Sequence, residues 1–303
     1  MYSIAVKLRN IAYDKGIINI KKLPVPVISV GNISLGGSGK TPTVKFIAEK
    51  ILEDKRVCII LRGYKRKGKG TFIVSEYGQL KADVHEAGDE AFMLAKLLPK
   101  VSVVVSENRY EGGMLATNRL KPDIIILDDG FQHRKLHRDV DLVLIRKRDL
   151  KDRLLPFGRL REPLSSLKRA DGIILSYQEY EPFDICTNKP KFKMYRIFNH
   201  LITYNLERIP INEDILGREI ICISALGDNK QFLHTLKSIG FKIKKHIHFI
   251  DHHDYRNIYI DKKELYITSL KDIFKIGEYE NVLALDMEVK IEGLREFIVN
   301  KLS

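Results

Sequence analysis

Lys40 and Thr41 close a glycine-rich run, Gly31-Asn32-Ile33-Ser34-Leu35-Gly36-Gly37-Ser38-Gly39-Lys40-Thr41, whose residue types suit a phosphate chain. Gly36, Gly37 and Gly39 let the backbone approach an anion closely, and converging N–H groups add partial positive charge to the Lys40 ammonium. The Thr41 hydroxyl would face a magnesium ion bridging the phosphates. Ser34 stands where the strict phosphate-loop pattern has glycine. A plain glycine turn ahead of a helix is the alternative.

A second cluster lies downstream. Asp128 and Asp129 end the apolar run Asp123-Ile124-Ile125-Ile126-Leu127 and lead into Gly130-Phe131-Gln132-His133. Adjacent carboxylates at a strand end are costly if buried without a cation, and such a strand end beyond a phosphate loop is where nucleotide enzymes hold magnesium. A simple Asp-Asp-Gly turn is the rival, and the pairing with Lys40 and Thr41 favours the metal role. Three further groups leave their use open. Asp89 and Glu90 open a helical pattern, where the dipole alone accounts for acidic residues. Arg159 and Arg161, in a proline-bounded loop, suit phosphate clamping or plain surface charge. Asp251-His252-His253-Asp254 suits metal binding, proton relay or an idle polar loop.

An α/β scaffold must position these groups. Short apolar runs at Val25–Val30, Val57–Leu61, Val101–Val105, Asp123–Leu127, Val140–Ile145 and Gly172–Leu175 alternate with helical patterns, one of them following Asn108-Arg109. That order implies a mostly parallel sheet with ligands at the carboxyl ends of its strands. The basic loop Arg62-Gly63-Tyr64 to Gly70 leaves the sheet at the same edge. Beyond Tyr177 the chain turns irregular, and a smaller α/β unit without a phosphate loop follows. The expected partition is 1–187, a connection over 188–205, and 206–303. At the other end, Met1, Ile4, Ala5, Leu8, Ile11 and Ala12 fall at helical spacing, with Lys7, Arg9 and Lys15 around them. Such a basic amphipathic helix docks on the protein's own core or lies in the headgroup region of an anionic membrane.

Composition narrows the classes only partly. The 303 residues carry a formal net charge of +13, which suits nucleic acid, anionic lipid or phosphorylated small molecules equally. Aromatic residues do not interleave with the basic ones as stacking on RNA or single-stranded DNA would need. No Asn-Lys-x-Asp stretch is present to read guanine, so a switch GTPase is disfavoured; an ATPase that hydrolyses nucleotide alone stays as a rival. Three widely spaced cysteines form no metal spacing and point to reduced thiols. Without an apolar stretch long enough to span, or the apolar region and cleavage site of a signal peptide, the chain is expected on the cytosolic side.

Taken together, Val30-Gly31-Asn32 through Gly39-Lys40-Thr41-Pro42, Arg62-Gly63-Tyr64, Gly88-Asp89-Glu90, Asn108-Arg109, Leu127-Asp128-Asp129-Gly130-Phe131-Gln132-His133, Leu160-Arg161-Glu162-Pro163 and Asp251-His252-His253 resemble the tetraacyldisaccharide 4′-kinase family of lipid A biosynthesis. The resemblance implies a phosphate-loop NTPase-like domain followed by a smaller α/β domain. It implies transfer of the ATP γ-phosphate to the 4′-hydroxyl of an acylated glucosamine disaccharide 1-phosphate, giving lipid IVA. Asn32, Gly36, Gly37, Ser38, Gly39, Lys40 and Thr41 would hold the nucleotide, with Tyr64, Gln132 and His133 lining the site. Thr41, Glu90 and Asp128 or Asp129 would hold Mg2+. Asp89 would act as base with His252 brought across the cleft to tune it, while Arg109 and Arg161 stabilise phosphate charge. The protein would then sit peripherally on the cytoplasmic face of a bacterial inner membrane, binding its anionic surface, with no nucleic acid and no stable protein partner implied.

Overall fold

A computed structural model describes residues 2–302; Met1 lies outside the described residues, as does the side chain of Ile4. The strands are β1 (Val27–Asn32), β2 (Val57–Leu61), β3 (Phe72–Glu76), β4 (Gln79–Leu80), β5 (Ser102–Val105), β6 (Ile124–Asp128), β7 (Val140–Ile145), β8 (Gly172–Leu175), β9 (Lys191–Ile197), β10 (His200–Ile202), β11 (Arg208–Pro210), β12 (Glu219–Ser224), β13 (Lys242–His248), β14 (Leu265–Ser269), β15 (Val282–Leu285) and β16 (Glu288–Ile291). They form a 10-stranded sheet in the order β16-β9-β8-β7-β1-β6-β2-β5-β3-β4 and a 6-stranded sheet in the order β11-β10-β15-β14-β12-β13. From β9 through β5 the large sheet is parallel throughout, and only its edges are antiparallel. The fold is α/β, with a phosphate-loop NTPase-like sheet followed by a smaller unit.

Strand β1 is central, and all six of its residues are buried, as expected where helices cover both faces. Val30 pairs with Asp128 of β6 on one side and Leu142 of β7 on the other. The glycine loop after Asn32 therefore emerges beside the carboxyl end of β6. Gly39 takes a positive φ of 91° that L-residues avoid, and the helix Lys40–Phe46 starts directly after it with Pro42 in its first turn. A wider π-helical turn, Ile47–Ile51, continues that helix.

The observed partition differs from the expected one in two places. The segment 188–205 contains β9, which extends the large sheet, and β10, which opens the small one. The tail also returns: β16 pairs antiparallel with β9, and Leu294 and Ile298 of the helix Leu294–Leu302 are buried in the core of the large sheet. Phe297 of that helix meets Phe192 of β9 with ring centroids 5.1 Å apart. Between β7 and β8, Leu164–Arg169 forms a short 3-10 segment.

The N-terminal helix Tyr2–Asp14 docks through residues other than the apolar set expected from its spacing. Val6 and Tyr13 are buried, Arg9 and Asn10 bond to Glu162, and Arg134 pairs with Asp14. Leu8 and Ile11, one helical turn apart, remain exposed at 61% and 37%.

Candidate active site

The phosphate loop is braced from beneath. Asn32 donates through Nδ2 to Ser38 Oγ at 2.9 Å, and Gln132 donates through Nε2 to the Asn32 carbonyl at 2.7 Å. Arg146 donates to the Gly37 carbonyl at 3.2 Å, and the Tyr177 hydroxyl does so at 3.4 Å. Gly36, with φ of 96°, passes close to the Arg148 guanidinium. A cavity of about 260 Å³ opens beside Gly37, Thr41 and Pro42, its far wall formed by Leu226, Phe232 and Leu270 of the smaller unit.

Asp128 and Asp129, adjacent in sequence, have different surroundings. Asp128 is buried and accepts a 2.9 Å hydrogen bond from the Thr41 hydroxyl. Burial, with repulsion from Glu90 against the pull of Lys40, pushes its carboxyl up to about 7. Asp129 takes the left-handed conformation at φ 57° and receives both Arg161 guanidinium nitrogens, at 2.9 and 2.6 Å, with Lys40 Nζ at 3.5 Å. Although burial opposes ionisation, the Arg161 hydrogen bonds and the charges of Lys40 and Arg109 hold its carboxyl well below the usual range. Arg161 also bonds Asn32 Oδ1. Arg109 is buried, donates to the Ser106 carbonyl at 2.5 Å, and approaches the Asp128 carbonyl at 3.4 Å. Burial lowers it to about 10, which leaves it charged at neutral pH.

Asp89 does not cap the helix it opens. That helix, Asp89–Leu97, follows Gly88 at φ 86° and has no side-chain cap. The carboxylate instead reaches the smaller unit: Oδ2 lies 3.0 Å from His252 Nδ1 and 3.1 Å from Lys275 Nζ. Burial pushes this carboxyl up, but the His252 hydrogen bond and the Lys275 charge, with Lys271 behind, hold it below its ordinary value. Lys275, 3% exposed, also donates to the His253 carbonyl at 2.8 Å and lies 3.4 Å from Asp272. His252 takes a left-handed φ of 68°, and the Tyr64 ring meets it edge-on at 5.5 Å. His253 turns away, stacks on Phe249 at 4.2 Å and accepts from the Tyr255 amide, so the two histidines do not share a ligand.

The resulting arrangement has an anion-binding loop, an oxygen pair from Thr41 and Asp128, two buried or half-buried arginines, and a carboxylate–imidazole pair. That is the equipment of phosphoryl transfer to a hydroxyl. The sequence profile described as tetraacyldisaccharide-1-P 4'-kinase (LpxK) matches residues 1–303. This chain belongs to that family.

Relatives agree with the profile. The tetraacyldisaccharide 4'-kinase of Aquifex aeolicus is 57% identical over 293 residues, 96% of this chain and 92% of that protein. The 4'-kinase of Chlorobaculum tepidum is 37% identical, covering 92% of this chain and 85% of its own length. The crystal structure of an "apo" form of LpxK from Aquifex aeolicus in complex with ATP superposes with a TM-score of 0.94 at 54% identity, covering 100% of this chain and 96% of that one.

Against the residues singled out for a member of this 4′-kinase family, the structure makes two groups. Asn32, Ser38, Lys40, Thr41, Arg109, Asp128, Asp129, Gln132 and Arg161 gather around the loop through the contacts above. Asp89, His252 and Tyr64 form a second group facing the smaller unit. His133 belongs to neither contact set: its Nε2 is buried without a partner, and burial with Arg109, Arg138 and Lys135 pushes the ring down to about 4. Glu90 enters electrostatically, as the strongest charged neighbour raising Asp128. Four residues at the site were not among those expected there: Arg146, Tyr177, Lys271 and Lys275. Arg146 and Tyr177 follow the ends of β7 and β8, positions from which parallel sheets present ligand-facing groups, and this signal was available. Lys275 had none, because its partner Asp89 lies far back in the chain.

Proposed function

We infer that this chain transfers the γ-phosphoryl group of ATP to the 4′-hydroxyl of a tetraacyldisaccharide 1-phosphate, a step of lipid A biosynthesis. The observation that carries the reading is the Asp89–His252 contact at 3.0 Å, standing with the Lys40–Thr41 loop and Asp128 in a chain matched over its full length by the 4'-kinase profile. An ATPase needs the loop but has no use for a second carboxylate poised for an acceptor.

The donor set fits a magnesium ion. Thr41 and Asp128 offer hard oxygen ligands, and the raised Asp128 carboxyl marks negative charge that a cation would relieve. Asp129, already paired with Arg161 and Lys40, has the positioning role instead. No group of three or more His, Cys, Asp or Glu able to hold a metal occurs among the described residues, in keeping with a cation that takes most of its ligands from phosphate and water. When bound, Mg2+ neutralises charge on the β- and γ-phosphate oxygens.

The loop amides and Lys40 orient the triphosphate, and the apolar walls around Leu226, Phe232 and Leu270 accept the nucleotide base. Arg109 and Arg161 meet the charge that spreads over the transferring group. The acceptor hydroxyl attacks in line, the bond to the β-phosphate oxygen breaks, and ADP leaves. Asp89 accepts the hydroxyl proton. Its depressed basicity suits a loose transition state, in which deprotonation is late and orienting the hydroxyl matters most. His252 and Lys275 both hold Oδ2, which leaves Oδ1 to face the acceptor. Base assistance of this kind is worth about 10²–10⁴-fold.

The acceptor's acyl chains stay in a bilayer, so the enzyme works at a membrane surface. No helix among the described residues is long and apolar enough to cross a membrane. Peripheral attachment on the cytoplasmic face through the exposed side of Tyr2–Asp14, with basic side chains meeting anionic headgroups, accounts for the +13 charge. The test is transfer of labelled γ-phosphate from Mg-ATP to tetraacylated glucosamine disaccharide 1-phosphate in detergent micelles. Wild type labels the lipid, and Asp89→Ala is slower by about 10²–10⁴-fold. Release of free phosphate alone would replace this reading with an ATPase.

A further inference from the structure

Phe157 is 86% exposed, at the tip of the loop 152–160. An aromatic ring so placed is unfavourable in water and is not a disordered accident here, because the loop beneath it is tightly tied. Asp152 Oδ1 accepts from the amides of Arg153 and Arg159, at 2.7 and 3.2 Å. Leu155 N bonds Leu160 O at 2.9 Å, Leu160 N bonds Arg153 O at 2.9 Å, and Phe157 N bonds Leu154 O at 3.1 Å. A Cβ at Gly158 would strike the Arg153 carbonyl at 2.3 Å, so the turn has no room to relax there. The exposed charges of this stretch are mainly basic: Lys147, Lys151, Arg153 and Arg159 stand exposed and form no ion pair among the described residues, while Asp149 is buried and the half-exposed Asp152 carboxylate is turned to the loop's own amides.

The base of the loop leads to the active site and to the N-terminal helix. Leu35, 45% exposed, donates its amide to the Arg159 carbonyl at 2.8 Å. Arg161 closes the loop and pairs with Asp129, while its carbonyl accepts from the Tyr2 hydroxyl at 3.0 Å. Helix and loop thus converge on the segment Arg161-Glu162, and each carries an outward apolar group beside basic side chains.

We propose that the 152–160 loop is a second lipid-contact point, with the Phe157 ring among the acyl chains of an anionic bilayer and Lys147, Lys151, Arg153 and Arg159 at headgroup level. The proposal rests on the membrane-surface reading above. Charge complementarity fixes the occupant: an exposed aromatic tip in a stretch carrying exposed, unpaired cations matches an apolar layer beneath an anionic one. Two contact points orient the molecule, whereas the helix alone leaves it free to roll about its axis. Since Arg161 sits at the base of one and against the other, this orientation presents the phosphate-loop end of the cleft to lipid.

The chain contains no tryptophan, so Phe157→Trp introduces a single indole reporter. The probe is a vesicle of phosphatidylglycerol and phosphatidylethanolamine without lipid substrate. Its emission is expected to shift to the blue on adding vesicles and to be quenched by acyl-brominated lipid. Phe157→Asp is expected to weaken vesicle binding about tenfold while its phosphate transfer in detergent micelles stays within twofold, which also reports correct folding. An unshifted indole on vesicle-bound protein overturns the proposal, as does unchanged affinity of Phe157→Asp. So does a raised KM for lipid substrate in micelles with unchanged vesicle binding, which would assign the ring to substrate chains. A Leu8→Asp/Ile11→Asp variant separates the two readings. If it loses vesicle binding and Phe157→Asp does not, only the second contact fails; if wild type itself ignores vesicles, the membrane reading fails with it.

Discussion

Neighbouring residues of one chemical type acquire different tasks here through what surrounds them. Asp129 is held ionised by Arg161 and Lys40, whereas burial and Glu90 disfavour the charged form of Asp128 beside Thr41 despite the pull of Lys40. The sequence marked both carboxylates as a metal pair but did not separate them, because the discriminating partner, Arg161, comes from a loop beyond the next strand, β7. The same holds for Asp89, whose helix-start position fully accounted for it until His252 and Lys275 arrived from the smaller unit. His133 shows another residue-scale consequence. Its folded value of about 4 lies below the ordinary histidine value of 6.5, so the unfolded chain binds more protons between those limits. Stability is therefore unaffected by this ring above about pH 6.5 and falls as pH drops from there to about 4. After allowance for solvent screening the cost is about 2 kcal/mol. His133→Gln is expected to flatten this part of the acid limb in urea melts at pH 4.5, 5.5 and 7, with the three midpoints converging relative to wild type.

Two motifs that look separate in the chain are one contact between elements. Phe131, fully buried, lies so close to β1 that a Cβ on Gly31 would sit 2.4 Å from its Cβ and 2.7 Å from its amide nitrogen. The glycine before Asn32 and the aromatic after Asp129-Gly130 therefore set how close the phosphate loop comes to the carboxyl end of β6. Alternating apolar runs were enough to read this parallel frame, since buried strands must be apolar on both faces. The edges were less legible: β3 and β4 follow a glycine–lysine loop, and β16 has only short, mixed residues. Gly31→Ala is expected to force Phe131 outward, costing about 1–3 kcal/mol and lowering the melting temperature by several degrees. ATP affinity, read by isothermal titration, should fall with it, because Thr41 and Asp128 no longer meet. An alanine tolerated at unchanged melting temperature would show that the two elements are not in register-setting contact.

At the scale of the whole molecule, the two sheets cannot be treated as separable pieces. Ile273, Phe274 and Ala284, from the smaller unit, belong to the same buried cluster as Ile28 and Val30 beneath the phosphate loop. Asp89 is joined to His252 and Lys275 across the same boundary. The last segment then crosses back, seating Val289, Ile291, Leu294 and Ile298 under the first sheet. No local pattern in the sequence could reveal that return, since an edge strand and a short amphipathic helix fit either sheet. Each of those four side chains is worth about 1.5–3 kcal/mol of burial, so together they rival the 5–15 kcal/mol by which a domain is ordinarily stable. A chain ending at Asp286 is therefore expected to lose the fold of the phosphate-loop sheet, although every residue of the loop is retained. Calorimetry of the full chain should give one transition, and the shortened chain should bind a hydrophobic dye and show none. Two resolved transitions in the full chain, or a shortened chain that still binds ATP, would mean the returning segment is an appendage, and the boundary at 206 would regain its meaning as a division between independently folding parts.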